Sequence, residues 1–210
     1  MQIERLVVMV SGGGTNLQAL IDACEDGRIP AKITGVISSK SDAYALERAA
    51  KAGIPKIVIN KKHFDSAEAH EAAIIDAIEC FEGQAVILAG YMSILGSRVV
   101  NNYKIINVHP ALIPSFCGKG YYGLNVHKAV LDYGAKLSGA TVHFVDEGTD
   151  TGPIIMQKSV EVISGDTPEA LQKRVLEVEH DMLVNSVSLL CQDRLSLKGR
   201  TVIIDESQTA

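Results

Sequence analysis

Short β-branched runs alternate with longer amphipathic segments along the first half of the chain. Apolar runs of about four to eight residues are typical of buried parallel strands, and apolar positions repeated at helical spacing are typical of helices that cover a sheet. The pattern predicts strands at 3–10, 33–38, 56–59, 85–89 and 104–108, and helices at 17–24, 43–51 and 68–78. This alternation indicates an α/β fold with an open, mostly parallel twisted sheet and helices on both faces.

The pattern changes after Ser138. Two longer runs, 140–148 and 153–163, flank an acidic, glycine-bearing loop and predict an antiparallel extension of the sheet in the C-terminal third. The amphipathic segment 167–190 begins with Thr167 and Pro168, which suit the N-cap and the first position of a helix. No linker or repeat interrupts the chain, and we expect a single domain over residues 1–210.

Composition narrows the function classes. The 210 residues carry a formal charge of -5 with a pI of about 5.7, which gives no electrostatic footprint for nucleic acid. The longest apolar stretch is too short to span a bilayer, and the N-terminus lacks the pattern of a secretory signal. The 4 cysteines are scattered without a Cys-x-x-Cys pair. We therefore expect a cytoplasmic protein without a metal, a membrane or a nucleic-acid partner.

The first predicted strand runs directly into a glycine-rich turn, Ser11 to Asn16, and then into a helix. Backbone N–H groups and the positive end of the helix dipole face one concavity there, which makes an anion site. The Thr15 hydroxyl and the Asn16 amide are expected to add donors or to cap the helix. Leu17 replaces the third glycine of a dinucleotide-binding fingerprint, and the Gly-Lys-Ser/Thr of a P-loop is missing. The turn favours a monophosphate ester, with a tight turn without a ligand as the alternative.

Polar side chains also gather around the strand predicted at 104–108. Asn107 and His109 point to the same side of an extended chain, and Pro110 stiffens its exit. Asp150 lies in the acidic loop between the two later runs. Taken singly, a structural histidine and a solvated turn are the better interpretations of these residues. Only their combination favours a reactive site, because ligands of open α/β sheets bind at the carboxyl ends of the strands.

Five segments in this order resemble the folate-dependent glycinamide ribonucleotide formyltransferases across nearly the whole chain: SGGGTNL, LAGYMSILG, INVHPALIPS, TVHFVDEGTDTGPII and RVLEVEH. The resemblance implies transfer of a formyl group from the co-substrate 10-formyltetrahydrofolate to the amine of 5-phosphoribosylglycinamide in purine synthesis, without a metal. It implies that Asn107 stabilises the oxyanion, that His109 donates a proton, and that Asp150 raises the pKa of this histidine. It also implies a set of binding residues, which are Gly14, Thr15 and Asn16 for the phosphate, Glu179 for the ribose, and Met92, Ser93, Ile94, Leu95 and Asn107 for the folate.

The chemistry of acyl transfer supports these roles independently. Attack of an amine on a formyl carbon creates an oxyanion and an ammonium together, so the site needs hydrogen-bond donors and a proton shuttle. Cys117 lies close to His109 in the sequence, but the family chemistry uses no thiol nucleophile. His143 and His127 are interpreted either as supporting residues of the site or as surface histidines.

Three features depart from the best-known members of that family. Ser93 and Ala67 stand where those members carry arginines near the folate and its tail. The segment 115–123 is longer than the commonest form of this loop and brings Lys119 and two tyrosines towards the site. Lys119 either replaces a lost phosphate or glutamate contact or belongs to a solvated loop, and the sequence leaves both interpretations open.

Two classes of alternative remain. Methionyl-tRNA formyltransferase and the hydrolase of 10-formyltetrahydrofolate share the formyl-transfer domain, but they usually carry an extra domain, which we do not expect here. A noncatalytic nucleotide-binding module or an NAD oxidoreductase would make the combination of Asn107, His109 and Asp150 a coincidence. We expect glycinamide ribonucleotide and folate as partners, and a monomer or a homodimer.

Overall fold

The computed structural model describes residues 2–207, and a seven-stranded sheet runs through its centre. The strands are β1 (Arg5–Val10), β2 (Lys32–Ser38), β3 (Lys56–Val58), β4 (Ala85–Leu88), β5 (Lys104–His109), β6 (Leu137–Phe144) and β7 (Ile154–Glu161). Their order across the sheet is β3-β2-β1-β4-β5-β6-β7. β1 to β5 are parallel, whereas β6 is antiparallel to β5, and β7 is antiparallel to β6. The predicted parallel sheet with an antiparallel extension is confirmed.

Helices cover both faces of this sheet. They are α1 (Thr15–Glu25), α2 (Ala45–Lys51), α3 (Ala67–Cys80), α4 (Ser97–Asn102), α5 (Leu124–Tyr133) and α6 (Pro168–Cys191), with a 3-10 turn at Lys61–His63. Along β1, Leu6 and Val8 point into the apolar core beneath α1 and α6, while Val7 and Met9 point into the core beneath α3. Because helices cover both faces of the sheet, β1 is a continuous apolar run in the sequence. Within residues 2–207, none of the helices is long and apolar enough to cross a bilayer.

Most predicted element ends agree with the structure to within two residues. The Thr167 side chain accepts a hydrogen bond from the N–H of Ala170, so the predicted N-cap of α6 is confirmed. The run 140–148 is the exception, since β6 already begins at Leu137 and ends at Phe144. Asp146 accepts a hydrogen bond from the N–H of Gly148, and this side-chain turn takes the chain out of the strand.

The sequence did not predict two of the helices or the hairpin that follows α6. α4 is rich in valine and asparagine, and α5 carries Asn125, Val126 and His127 in its first turn; all of these are weak helix formers, so tertiary contacts decide where the two helices form. A short hairpin, β8 (Leu195–Lys198) and β9 (Thr201–Ile204), follows α6. Its turn contains Gly199 at a φ of 62°, and a glycine in a two-residue turn is a signal that predicts a hairpin.

The direction of strand succession reverses between β1 and β4. From β1 the chain proceeds to β2 and β3 on one side, whereas β4 lies on the other side of β1 and is followed by β5. Ligands of open α/β sheets bind beside such a reversal, at the carboxyl ends of the strands. The glycine-rich turn follows β1 and His109 ends β5, so the fold places both predicted features at this edge.

Candidate active site

The glycine-rich turn leaves the N-terminus of α1 without a side-chain cap. Gly14 is the N-cap residue, with a φ of 72°, and neither Thr15 nor Asn16 caps the helix as the sequence had suggested. A Cβ at Gly14 would lie 2.6 Å from the Cβ of Ala45, whereas a Cβ at Gly13 would have nothing within 4 Å. The first N–H groups of α1 therefore stay available to an anion from solvent.

Asn16 turns inwards and pairs with Glu179. Its Nδ2 donates to Oε2 of Glu179 at 3.0 Å, and both side chains are buried. The Oδ1 atom of Asn16 is also buried and has no hydrogen-bond partner within residues 2–207. Burial raises the pKa of Glu179 to about 7, against the hydrogen bond from Asn16, which lowers it. The two predicted substrate-binding residues thus form one polar pair beside the glycine-rich turn.

Asn107, His109 and Asp150 meet at the carboxyl end of β5. Nδ1 of His109 lies 3.5 Å from Oδ2 of Asp150, and Nδ2 of Asn107 lies 3.4 Å from Oδ1 of the same carboxylate. Asn107 and His109 are alternate residues of β5 and share one face of the strand. Asp150 comes from the loop between β6 and β7 and has a left-handed backbone, with a φ of 57°.

The segment 116–118 borders the same group of side chains. Nε2 of His109 lies 2.9 Å from the carbonyl oxygen of Phe116, and the N–H of Gly118 donates to Oδ2 of Asp150 at 2.9 Å. A carbonyl oxygen only accepts hydrogen bonds, so this contact assigns the N–H of His109 to Nε2. A proton taken up at Nδ1 would therefore lie beside the carboxylate of Asp150.

His143 is a fourth polar residue of the group. It lies opposite Asn107 in the register of β5 and β6, with Nε2 at 3.2 Å from Nδ2 of Asn107 and 3.7 Å from Oδ1 of Asp150. Its Nδ1 lies 2.7 Å from the carbonyl oxygen of Phe144, which fixes the ring. His127 is also buried, and burial, followed by the charge of His109, lowers its pKa to about 4. Neither histidine is a surface residue.

The charges of this group differ from the sequence-based expectation. Burial lowers the pKa of His109 below its ordinary value, although Asp150 acts in the opposite direction and raises it. Burial would raise the pKa of Asp150, but His143, His109 and the N–H of Gly118 together lower it. At neutral pH the geometry therefore pairs a neutral imidazole with an ionised carboxylate. Asp150 does act to raise the pKa of His109, as the resemblance implied, but burial outweighs it and the net shift is downward.

A cavity of about 470 Å³ opens in front of these residues. Its wall includes Met92, Ser93, Ile94 and Leu95, and Met92 and Ile94 are 48% and 75% exposed. Lys119 is the one lysine or arginine among the described residues that line the cavity. The glycine-rich turn and Glu179 are not part of the lining.

Ser11 connects the glycine-rich turn to the cavity wall. Its Oγ accepts a hydrogen bond from the N–H of Met92 at 2.8 Å and lies 2.6 Å from Oγ of Ser39. A buried serine at the end of a strand has no distinctive sequence pattern, and this contact was not predicted.

Between residues 2 and 207, no group of three or more histidine, cysteine, aspartate or glutamate side chains is arranged to hold a metal ion.

Comparison with known proteins agrees with this geometry. The sequence profile of a family described as formyl transferase matches residues 4–187. The chain is 41% identical to the chloroplastic phosphoribosylglycinamide formyltransferase of Arabidopsis thaliana, over 91% of this chain and 67% of that protein. It is 38% identical to the phosphoribosylglycinamide formyltransferase of Haemophilus influenzae, over 97% of this chain and 94% of that protein. It spans 62% of the chloroplastic relative from Vigna unguiculata, at 39% identity over 91% of this chain.

Solved structures show the same similarity. Glycinamide ribonucleotide transformylase 1 from Symbiobacterium toebii superposes with a TM-score of 0.91 at 40% identity, covering 96% of this chain and 94% of that one. A formyltetrahydrofolate deformylase from Pseudomonas syringae superposes with a TM-score of 0.86 at 26% identity, covering 97% of this chain and 66% of that one.

Replacing Gly14 with alanine should destabilise the protein. Alanine at a φ of 72° costs roughly 1–2 kcal/mol, and its Cβ would collide with Ala45, so we expect the free energy of unfolding to fall by at least about 2 kcal/mol. Gly13→Ala is the matched control, for which we expect a loss below about 1 kcal/mol. Urea unfolding of both variants measures the difference, and equal stabilities would contradict this account of the turn.

Glu179→Gln should gain stability relative to the wild type as the pH rises. The folded pKa of about 7 lies above the ordinary value of 4.5. The folded state therefore holds this proton more tightly than the unfolded state, and the wild type loses stability between about pH 5 and pH 8 as the proton leaves. Glutamine loses no proton and still accepts from Asn16, so the variant should gain roughly 3 kcal/mol over this range.

Urea unfolding at several pH values tests this prediction. Glu177→Gln removes an exposed carboxylate from the same helix and is the matched control. Parallel pH profiles for wild type and Glu179→Gln would show that Glu179 does not carry the raised pKa.

Proposed function

Because the chain belongs to the formyl transferase family, we propose that it is a phosphoribosylglycinamide formyltransferase. It transfers the formyl group of 10-formyltetrahydrofolate to the amine of glycinamide ribonucleotide, giving formylglycinamide ribonucleotide and tetrahydrofolate in purine synthesis. The observation that carries this proposal is the group formed by Asn107, His109 and Asp150 beside a cavity of about 470 Å³. Amide donor, imidazole and carboxylate are the groups that acyl transfer to an amine requires.

The proposed catalytic roles follow from the contacts of each side chain. When the amine attacks the formyl carbon, the formyl oxygen gains negative charge and the nitrogen becomes positive. Nδ2 of Asn107 donates to the developing oxyanion in exchange for its long contact of 3.4 Å with Asp150, because hydrogen-bond donors stabilise the charge that forms on the formyl oxygen. His109 is neutral beforehand, takes the proton from the nitrogen of the amine, and returns it to N10 of the folate as the bond between N10 and the formyl carbon breaks. Asp150, at 3.5 Å, stabilises the imidazolium formed in this step.

The proposed binding regions lie on two sides of the β1–β4 reversal. Gly14, Thr15 and Asn16 hold the phosphate at the N-terminus of α1, and Glu179 meets the ribose hydroxyls. The wall from Met92 to Leu95, with Asn107, takes the folate. Its exposed apolar side chains fit the flat pterin ring, and the polar group at the end of β5 fits the formyl end of the co-substrate.

Hydrolysis of 10-formyltetrahydrofolate is a second candidate, because the chain is also similar to a formyltetrahydrofolate deformylase. In that reaction water replaces the amine as the nucleophile. Transfer is favoured here by the anion site at the glycine-rich turn, which suits the phosphate of a ribonucleotide, and by the higher identity to the named formyltransferases.

Other sequence-based predictions complete the proposal. The chain acts in the cytoplasm as a single domain over residues 1–210, either as a monomer or as a homodimer, and it needs no metal. Lys119 lines the cavity and is available to an anionic part of the folate, in place of the cations absent at Ser93 and Ala67.

The function is tested by incubating the purified protein with glycinamide ribonucleotide and 10-formyltetrahydrofolate while the folate product is followed by absorbance. We expect turnover that depends on both substrates. Turnover that is equal without the ribonucleotide would favour hydrolysis. Transfer to a different amine would refute the substrate but retain the chemistry.

His109→Ala and Asp150→Asn should each lower kcat by about two to four orders of magnitude, because each removes part of the proton path. Binding of glycinamide ribonucleotide should change little, since the glycine-rich turn lies outside the cavity lining. Isothermal titration measures the binding and steady-state kinetics measures kcat.

Cys117→Ser is the control for this pair. The thiol lies on the loop 115–123, whose backbone borders His109 and Asp150. Within residues 2–207 its only hydrogen bond is to the carbonyl oxygen of Pro114, so its loss should leave kcat near that of the wild type. Comparable turnover in His109→Ala and the wild type would refute the proton-transfer role, and inactivity of Cys117→Ser alone would favour a thiol nucleophile.

A further inference from the structure

The cavity wall formed by residues 91–95 has no regular secondary structure. It joins β4 to α4, and Met92 and Ile94 expose much of their side chains towards the cavity. An irregular segment with exposed apolar side chains keeps a defined shape only if its ends are held. The Met92 end is held by Ser11, so the position of the wall depends on what fixes its other end.

That other end is α4, a helix of 6 residues. A helix this short is not stable on its own, and its first N–H groups need partners. Its N-cap residue is Gly96, which offers no side-chain cap. Helix α4 therefore depends on a partner from elsewhere in the chain.

Glu71 of α3 is this partner. Its Oε1 accepts from the N–H of Arg98 at 2.7 Å and from the N–H of Val99 at 3.2 Å. The side chain is buried and packs so closely that a Cβ on Gly96 would lie 2.2 Å from Oε1. A carboxylate in this position satisfies two backbone donors and interacts favourably with the helix dipole. Glu71 does not line the cavity.

We propose that Glu71 is a positioning residue for folate binding, which holds the wall 91–95 through the N-terminus of α4. It acts through the backbone of Arg98 and Val99 and touches no substrate. This inference rests on the proposed function, because it takes the ligand of the wall to be the folate. Since the phosphate turn belongs to β1 and α1, loss of Glu71 affects the two substrates differently.

Steady-state kinetics of Glu71→Ala tests this difference between the two substrates. We expect KM for 10-formyltetrahydrofolate to rise about tenfold, the effect of losing one cap, with KM for glycinamide ribonucleotide and kcat within about twofold of the wild type. Glu71→Gln keeps an acceptor oxygen and should restore KM to within about threefold. Gly96→Ala should raise the KM for 10-formyltetrahydrofolate in the same way, because the added Cβ displaces the carboxylate of Glu71.

Ser66→Ala is the matched control. Ser66 caps α3, the helix that carries Glu71, by accepting from the N–H of Ala69 at 3.0 Å. Loss of this cap should lower the stability of the protein about as much as Glu71→Ala does, but it should leave the N-terminus of α4 unchanged. An unchanged KM for the folate in Glu71→Ala, or an equal rise in Ser66→Ala, would overturn the proposal.

Hydrogen exchange gives a readout that is independent of activity. Backbone amides of 91–99 should exchange faster in Glu71→Ala than in the wild type and Ser66→Ala, while those of β1 keep their protection. Equal exchange in this segment would overturn the proposal even if the variant is less active. If the wild type has no formyl-transfer activity, the proposed function fails, and the exchange experiment still decides whether Glu71 holds the wall.

Discussion

The carboxylate of Asp150 is the group on which the geometry of the site depends. His109 and Asn107 approach it from β5, His143 from β6 and the N–H of Gly118 from the loop 115–123. A mostly buried charge without such partners would cost several kcal/mol. The carboxylate therefore binds two strands and a loop into one arrangement, and the left-handed backbone of Asp150 is tolerated because these contacts compensate for it.

The sequence predicted the parts of the molecule that local pattern decides. Buried parallel strands are continuous apolar runs, so β1, β2, β4 and β5 were placed within two residues of their observed ends. α4 was missed because tertiary contacts stabilise it, which are the burial of Val99 in the core and the cap that Glu71 provides from another helix. The pair formed by Asn16 and Glu179 joins residues 163 positions apart. The resemblance to a family suggested both residues, but only the folded chain gives their contact.

The charges of the site were the least predictable property, because they depend on burial. A carboxylate beside an imidazole raises its pKa, and the sequence suggested no opposing effect. In the folded chain, burial of His109 outweighs Asp150. In the proposed mechanism, the neutral imidazole accepts the proton that the amine releases, and Asp150 then stabilises the charged ring. In that mechanism, the ion pair forms only during the reaction.

The sheet also sets the distance that the ribonucleotide must span. Met9, Leu88 and Asn107 are register partners across β1, β4 and β5. Ser11, directly after β1, and His109, at the end of β5, are each two residues further on and therefore lie at the same level. Two strand spacings separate them, about 10 Å. In the proposed function, a phosphate at the glycine-rich turn holds the ribonucleotide by one end, and the ribose and glycinamide extend along the sheet edge to the imidazole. The phosphate takes no part in the chemistry, but its binding lowers the entropy lost when the amine is positioned for attack.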